Sequence, residues 1–419
     1  MSNLSEKTNE SRSADDTLTF DAIRARFPGA TESVYLNVAS CGLLSTDTYQ
    51  AITTHIRELR DGYVDKPSYL AAIERVREKF ATLINADADE IAFTKNASDG
   101  LNMIAGAFDW KAGDNIVLCT ELEHPNNVYP WLNVRDRYGV TIRTVPQNAG
   151  EIDVQRMADT IDNRTRLVAA STVTFSPGKR TDIETLGSVC RERDVFLMVD
   201  AAQSVGVIHT DVRRMKIDGL AVATQKALLG LYGMGFLYCR CEWAESLRPA
   251  ALARFSVEFG EDMHEASTGA NAEYQLMSAA RRFDIGNYNY AATHAVEPSL
   301  DLLLETGAKR IDRYVSGLAA HFAHELKDVG VPVSSGVPGS TLSHIVTVGP
   351  YDQDAHETAG DPATESLAKY LRTNRVVCCV RRGMIRFSLH IYNNNDDINR
   401  TLELIRQWQS QYKGARWSE

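Results

Sequence analysis

The chain has 419 residues, 44% of them hydrophobic and 24% charged, and its 55 acidic against 45 basic side chains leave a net charge of -10. That length can bury one large core or two moderate ones, and the composition is ordinary for a soluble globular protein. The acidic balance argues against a general nucleic-acid or anionic-membrane surface, because phosphate binding depends on clustered Lys and Arg.

The first segment, MSNLSEKTNESRSADDT at 1–17, has no apolar stretch and reads as a disordered polar tail rather than a secretory signal. A large domain is expected over 18–297. SYLAAIERVREKFATLI carries apolar residues at helical spacing, EIAFT is strand-like, and DGLNMIAGAF is helical again. Strand-like NIVLC, helical VYPWLNVRDRY, strand-like TIRTV and RLVAAST, helical DIETLGSVCRERD, and strand-like VFLMVD, LAVAT and GFLYCR follow. Strands alternating with helices predict right-handed crossovers and a mainly parallel sheet covered on both faces, an α/β fold. Ligands gather at the carboxyl ends of such strands, which places Asp200 and the residues after EIAFT and NIVLC on one rim.

A smaller C-terminal α+β domain is expected over 298–419. A long helical region is interrupted near Gly307; SHIVTV, VVCCVR and MIRFSLH are strand-like, and the last two are joined by a turn of about four residues. The final helix, DDINRTLELIRQWQSQY, opens on Asp396 and Asp397. No apolar run reaches the roughly 18 residues of a membrane span. Seven cysteines, odd in number and scattered, fit a reducing compartment, so the expected location is the cytoplasm.

Two charged residues stand at the ends of strongly apolar runs: Asp200 in VDAAQSVG and Lys226 in ATQKALLGLYGMGFLY. Buried acids and lysines are costly unless something meets them, so the pair points to a ligand that satisfies both. TKNASDGLNMIAGAF sets Ala97 and Ser98 between a strand and a helix, where backbone N–H groups receive a phosphate. GLYGMG leads into a strand instead of opening a helix, which rejects a dinucleotide fingerprint. A phosphate cradle, an acid and a lysine along one α/β unit are the parts that hold pyridoxal 5'-phosphate.

On these motifs the chain resembles the aminotransferase class V family, the cysteine desulfurase-like branch of fold-type I pyridoxal-phosphate enzymes, from YLNVASCG at 35–42 through RFSLHIYNN at 386–394. The resemblance implies a seven-stranded, mainly parallel sheet in the large domain. It implies Lys226 as the Schiff-base amine and proton carrier, Asp200 beside the pyridine nitrogen, Gln203 on the ring hydroxyl and His124 stacked on the ring. Ala97 and Ser98, with Thr224 and Gln225 from the run before the lysine, would hold the cofactor, and Gly286-Asn287 would reach the phosphate of a neighbouring subunit in a homodimer with shared sites. Arg386 would pair with the substrate α-carboxylate, and Asn37 would line the substrate side. No metal is implied.

Departures narrow the chemistry. Ala223 and Gln225 stand where many relatives place a Ser and a His on the phosphate, and Phe175 stands where desulfurases place an Asn. A desulfurase also needs a cysteine on a mobile loop before the carboxylate-binding arginine. The candidates here, Cys378 and Cys379, lie in a tight hairpin. The remaining sequence is more similar to the carbon-sulfur lyases and isopenicillin-N-epimerase-like members. The expected activity is β-elimination at a carbon-sulfur bond of an α-amino acid or conjugate; transamination, epimerisation, desulfuration and a non-catalytic cofactor-binding role are the alternatives.

Overall fold

The computed structural model describes residues 18–258, 273–336, 339 and 341–412, so the polar segment 1–17 lies outside the described residues. Seven strands form the large sheet: β1 (Ile91–Thr94), β2 (Asn115–Leu118), β3 (Thr141–Thr144), β4 (Thr165–Ser171), β5 (Phe196–Asp200), β6 (Gly219–Ala223) and β7 (Gly235–Cys239). Their order is β1-β7-β6-β5-β4-β2-β3, and only β7 runs against the rest. The central strands β5 to β7 are buried along their whole length, as a sheet covered by helices on both faces requires. β3 is one of the two edge strands, and its sequence TIRT is exposed or half-buried.

Helix ends follow local chemistry. Asn96 caps Ala97–Ala107, accepting the Asp99 N–H at 2.9 Å, and Gly139 at φ 70° ends Tyr129–Tyr138. The capped end of Ala97–Ala107 therefore faces the same rim as the ends of β4 and β5.

A second sheet holds β8 (Val333–Ser335), β9 (Ile345–Val348), β10 (Cys379–Arg381) and β11 (Met384–Ser388), antiparallel in the order β8-β9-β11-β10. Arg381 lies opposite Met384, so the β10–β11 turn is Arg382-Gly383 alone, shorter than the four residues expected. Both turn residues have positive φ, 46° and 81°, the backbone that a two-residue hairpin demands.

The N-terminal segment joins the two sheets. Val34–Tyr35 pairs with Val376–Val377, Asn37 bridges to Ser388, and Arg24 meets Asp397 at 2.8 Å. The chain then returns to the large sheet, where the Gly42 N–H donates to the Gln225 carbonyl at 2.8 Å. A Cβ on Gly42 would fall 2.4 Å from the Lys226 carbonyl, so only glycine permits this approach.

Residue 298, expected to open the small domain, lies inside the helix Tyr290–Thr306. Glu297 of that helix pairs with Arg75 at 2.7 Å and Lys79 at 3.1 Å, both on the helix Lys66–Ile84 of the large domain. The helix Tyr290–Thr306 ends at Gly307, φ 87°, ahead of the helix Ala308–Asp328. Among the described residues no helix is long and apolar enough to cross a membrane.

Candidate active site

Ser171 ends β4 beside Asp200, which ends β5 in register with it. After β6 the Thr224 hydroxyl donates toward the carbonyls of Leu231 at 2.6 Å and Met234 at 3.1 Å. These bonds close the loop that carries Lys226, so Thr224, expected on the cofactor, positions the lysine segment from within the protein. A cavity of about 390 Å³ opens at the rim, lined among others by Lys226, Asp200, His124, Gln203, Gln225 and Phe175, with Ala97 and Ser98 at the helix start.

Lys226 makes no side-chain hydrogen bond among the described residues. Burial brings its amine down to about 8, against the pull of Asp200 and with a push from Arg386. Burial raises the Asp200 carboxyl, while the Ala202 N–H at 2.9 Å and the charge of Lys226 work in the other direction. His124 is half-buried, and desolvation together with the nearby charges of Lys226 and Arg386 brings its imidazole down to about 4. It is therefore neutral at physiological pH. Its Nδ1 accepts the Asn126 N–H at 3.1 Å, and its ring meets Phe175 edge-on at 5.1 Å.

Arg386 lies on β11, 2% exposed. Its Nη1 donates to the Phe175 carbonyl at 2.7 Å and its Nη2 to Ser40 Oγ at 3.0 Å, while Nε is buried without a partner. No carboxylate pairs with it among the described residues. A buried guanidinium without a counter-ion is costly, so an anion would complete the site.

The donors fit pyridoxal phosphate. Lys226 would offer an amine to its aldehyde, Asp200 a carboxylate to its ring nitrogen, and the start of Ala97–Ala107 N–H groups to its phosphate. Gln203 Oε1 and Gln225 Oε1 are buried and unpartnered, as groups that await a ligand would be. Gly286 and Asn287 lie apart, in an adjoining concavity of about 410 Å³ with Lys95 and Gly233. Asn37 does not line the cavity, and its Oδ1 is buried without a hydrogen bond.

Three contributors escaped the sequence reading. Glu123 is buried below the cavity: it accepts the Ser171 N–H at 2.7 Å, the Ser171 hydroxyl, and Asn127 Nδ2 at 2.8 Å. Burial raises its carboxyl to about 7. Ser40 holds Arg386, and Tyr232 lines the cavity mouth. The acid beside His124 in ELEHPNN was the available signal for the first, and the serine of YLNVASCG for the second.

The sequence model of the aminotransferase class-V family matches residues 60–401. The chain is 29% identical to a probable cysteine desulfurase of Methanothermobacter thermautotrophicus, over 92% of this chain and 97% of that one. It is 28% identical to an uncharacterized aminotransferase of Bacillus subtilis, over 91% and 96%. Among solved structures, an apo cysteine desulfurase from Thermococcus onnurineus superposes with a TM-score of 0.79 at 22% identity, over 96% of this chain and all of that one. The cystine C-S lyase C-DES, complexed with its product cysteine persulfide, superposes with a TM-score of 0.79 at 22% identity, over 91% and 99%.

Proposed function

Because the chain belongs to the aminotransferase class-V family, and is accordingly a pyridoxal-phosphate-dependent enzyme, we propose that it breaks a carbon-sulfur bond at the β-carbon of a free or conjugated α-amino acid. When bound, the cofactor supplies an aldehyde for the substrate amine and a conjugated ring that draws the electron pair released at the α-carbon. The residues of the chain do the rest. Arg386 receives the α-carboxylate in place of its missing counter-ion and so orients the α-carbon toward Lys226. Lys226 is the base for the α-proton, with its amine brought down to about 8 so that the neutral form is reached far more readily than in an ordinary lysine. Asp200 keeps a proton on the ring nitrogen, and neutral His124 covers a ring face without adding charge.

The observation that carries the lyase reading is the two-residue turn after β10. Cys378 is half-buried, and the loss of solvent around its thiol raises it to about 12. Cys379 is fixed in β10 opposite Arg386, with its sulfur 3.8 Å from Ser40 Oγ. Neither thiol sits on a segment that could travel to a substrate sulfur. The sulfur therefore leaves by elimination, with no protein persulfide as carrier. A homodimer with shared sites belongs to the same reading, with Gly286-Asn287 serving the partner's phosphate.

The test is the double variant C378S/C379S. Sulfur release from cysteine and cystine is expected to stay within about twofold of wild type. Loss of sulfur release in that variant, with the fold intact, would sink the lyase reading and favour the desulfurase named among the relatives.

A further inference from the structure

The hairpin tip that replaces a mobile loop carries a charge which the chemistry above does not use. Arg382 is held firmly: its N–H donates to the His356 carbonyl at 3.3 Å and its carbonyl accepts the Asp352 N–H at 2.9 Å. A Cβ on Gly383 would fall 2.6 Å from the Pro350 carbonyl, so the turn is packed closely against the 350–352 segment. The Arg382 guanidinium lies 4.7 Å from the centroid of the Phe175 ring. Its Nη1 donates to the Glu121 carbonyl and to Tyr351 Oη at 2.9 Å.

Among the described residues no carboxylate pairs with Arg382, and the side-chain bonds it makes there run through Nη1, none through Nε or Nη2. Its neighbour Arg381 differs, being paired with Glu357 at 3.0 Å. Phe175, a wall of the cavity, thus has a guanidinium without an acid partner at each end: Arg386 on its carbonyl and Arg382 on its ring. His124, packed on the same ring, is pushed toward its neutral form by both. One α-carboxylate neutralises only Arg386.

We propose that the substrate is a diacid: an α-amino acid whose β-substituent ends in a second carboxylate, received by Arg382. The proposal rests on Arg386 as the α-carboxylate site. Both guanidinium groups meet one residue, Arg386 at the Phe175 carbonyl and Arg382 at its ring, so a short chain joins the ligand's two acids, and diacids of four to six carbons are the matching probes. Arg382 then sets which substrate is chosen, through a charge-assisted pair that a neutral side chain cannot make.

Calorimetric titration of the holoenzyme with succinate, glutarate and adipate, each against its own monoamide, tests this without turnover. At least one diacid is expected to bind roughly 10- to 100-fold more tightly than its monoamide, the range for a hydrogen bond to a charged group. R382Q keeps a donor for Tyr351 but removes the charge, and is expected to abolish that preference; R382K is expected to keep part of it. R386Q is expected to weaken diacid and monoamide alike. Indifference of both ligands to R386Q would remove the α-carboxylate assignment, whereas the R382Q comparison reads the second acid site directly. If no diacid outbinds its monoamide, or the preference survives R382Q, the diacid proposal is wrong.

Discussion

At the scale of single residues, the site works through groups that burial has moved away from their usual charge. The clearest is Lys226, at about 8 in the folded protein against 10.5 for the free side chain. Below pH 8 the amine is charged in both folded and unfolded chains, and the folded one carries the full desolvation cost. Between 8 and 10.5 the unfolded chain holds a proton that the folded chain lacks, so this group's contribution to stability rises with pH. In cofactor-free protein K226M should therefore melt above wild type at pH 7, with the gap closing toward pH 10.5. Melting curves recorded across that range check it; a gap that does not change with pH would mean that the amine is solvated. Lys226 and Asp200 were legible in sequence because charge at the end of an apolar run is unusual on physical grounds. Thr224 was not, since whether its hydroxyl faces the cavity or the Leu231 and Met234 carbonyls depends on how the following loop closes. Arg382 was equally hidden. Its stacking on Phe175 joins residues more than two hundred positions apart, and no local pattern encodes such a contact.

At the scale of elements, the large sheet was legible because each strand is a short apolar run between helical patterns, and all seven expected strands form. Elements without an apolar face were not. The helix Thr46–Arg60 buries only Thr48 and His55, so it has no stripe to read. β8 spans three residues and also passed unseen. The expected boundary at 298 falls inside the helix Tyr290–Thr306, because hydrophobic periodicity runs on through it, and Glu297 of that helix is ion-paired to Arg75 and Lys79 far back in the chain. The β10–β11 turn was read as tight but two residues too long. Its true length has a functional consequence: it leaves no loop for a travelling thiol and sets Arg382 over the cavity wall.

At the scale of the whole molecule, a single chain brings Lys226 and Asp200 to one cavity, while Gly286 and Asn287 line the concavity beside it. Exposed apolar side chains gather along one stretch, including Tyr49, Ile56, Tyr63 and Val64, with Tyr63 73% exposed. Such a run is what a second copy of the chain would cover in the proposed homodimer. Equilibrium sedimentation is expected to give twice the 46.5 kDa chain mass, and a purely monomeric species at micromolar concentration would contradict shared sites. The central claim, that the whole assembly eliminates sulfur from an amino acid, is tested most directly by product analysis. The holoenzyme is supplied with cysteine, cystine and S-carboxymethylcysteine in the absence of any ketoacid acceptor, and pyruvate and ammonia are followed over many turnovers. The account expects continuous, equimolar release of both from at least one of these substrates. Turnover that begins only when an acceptor ketoacid is added, or alanine formed together with a persulfide on Cys378 or Cys379, would contradict it.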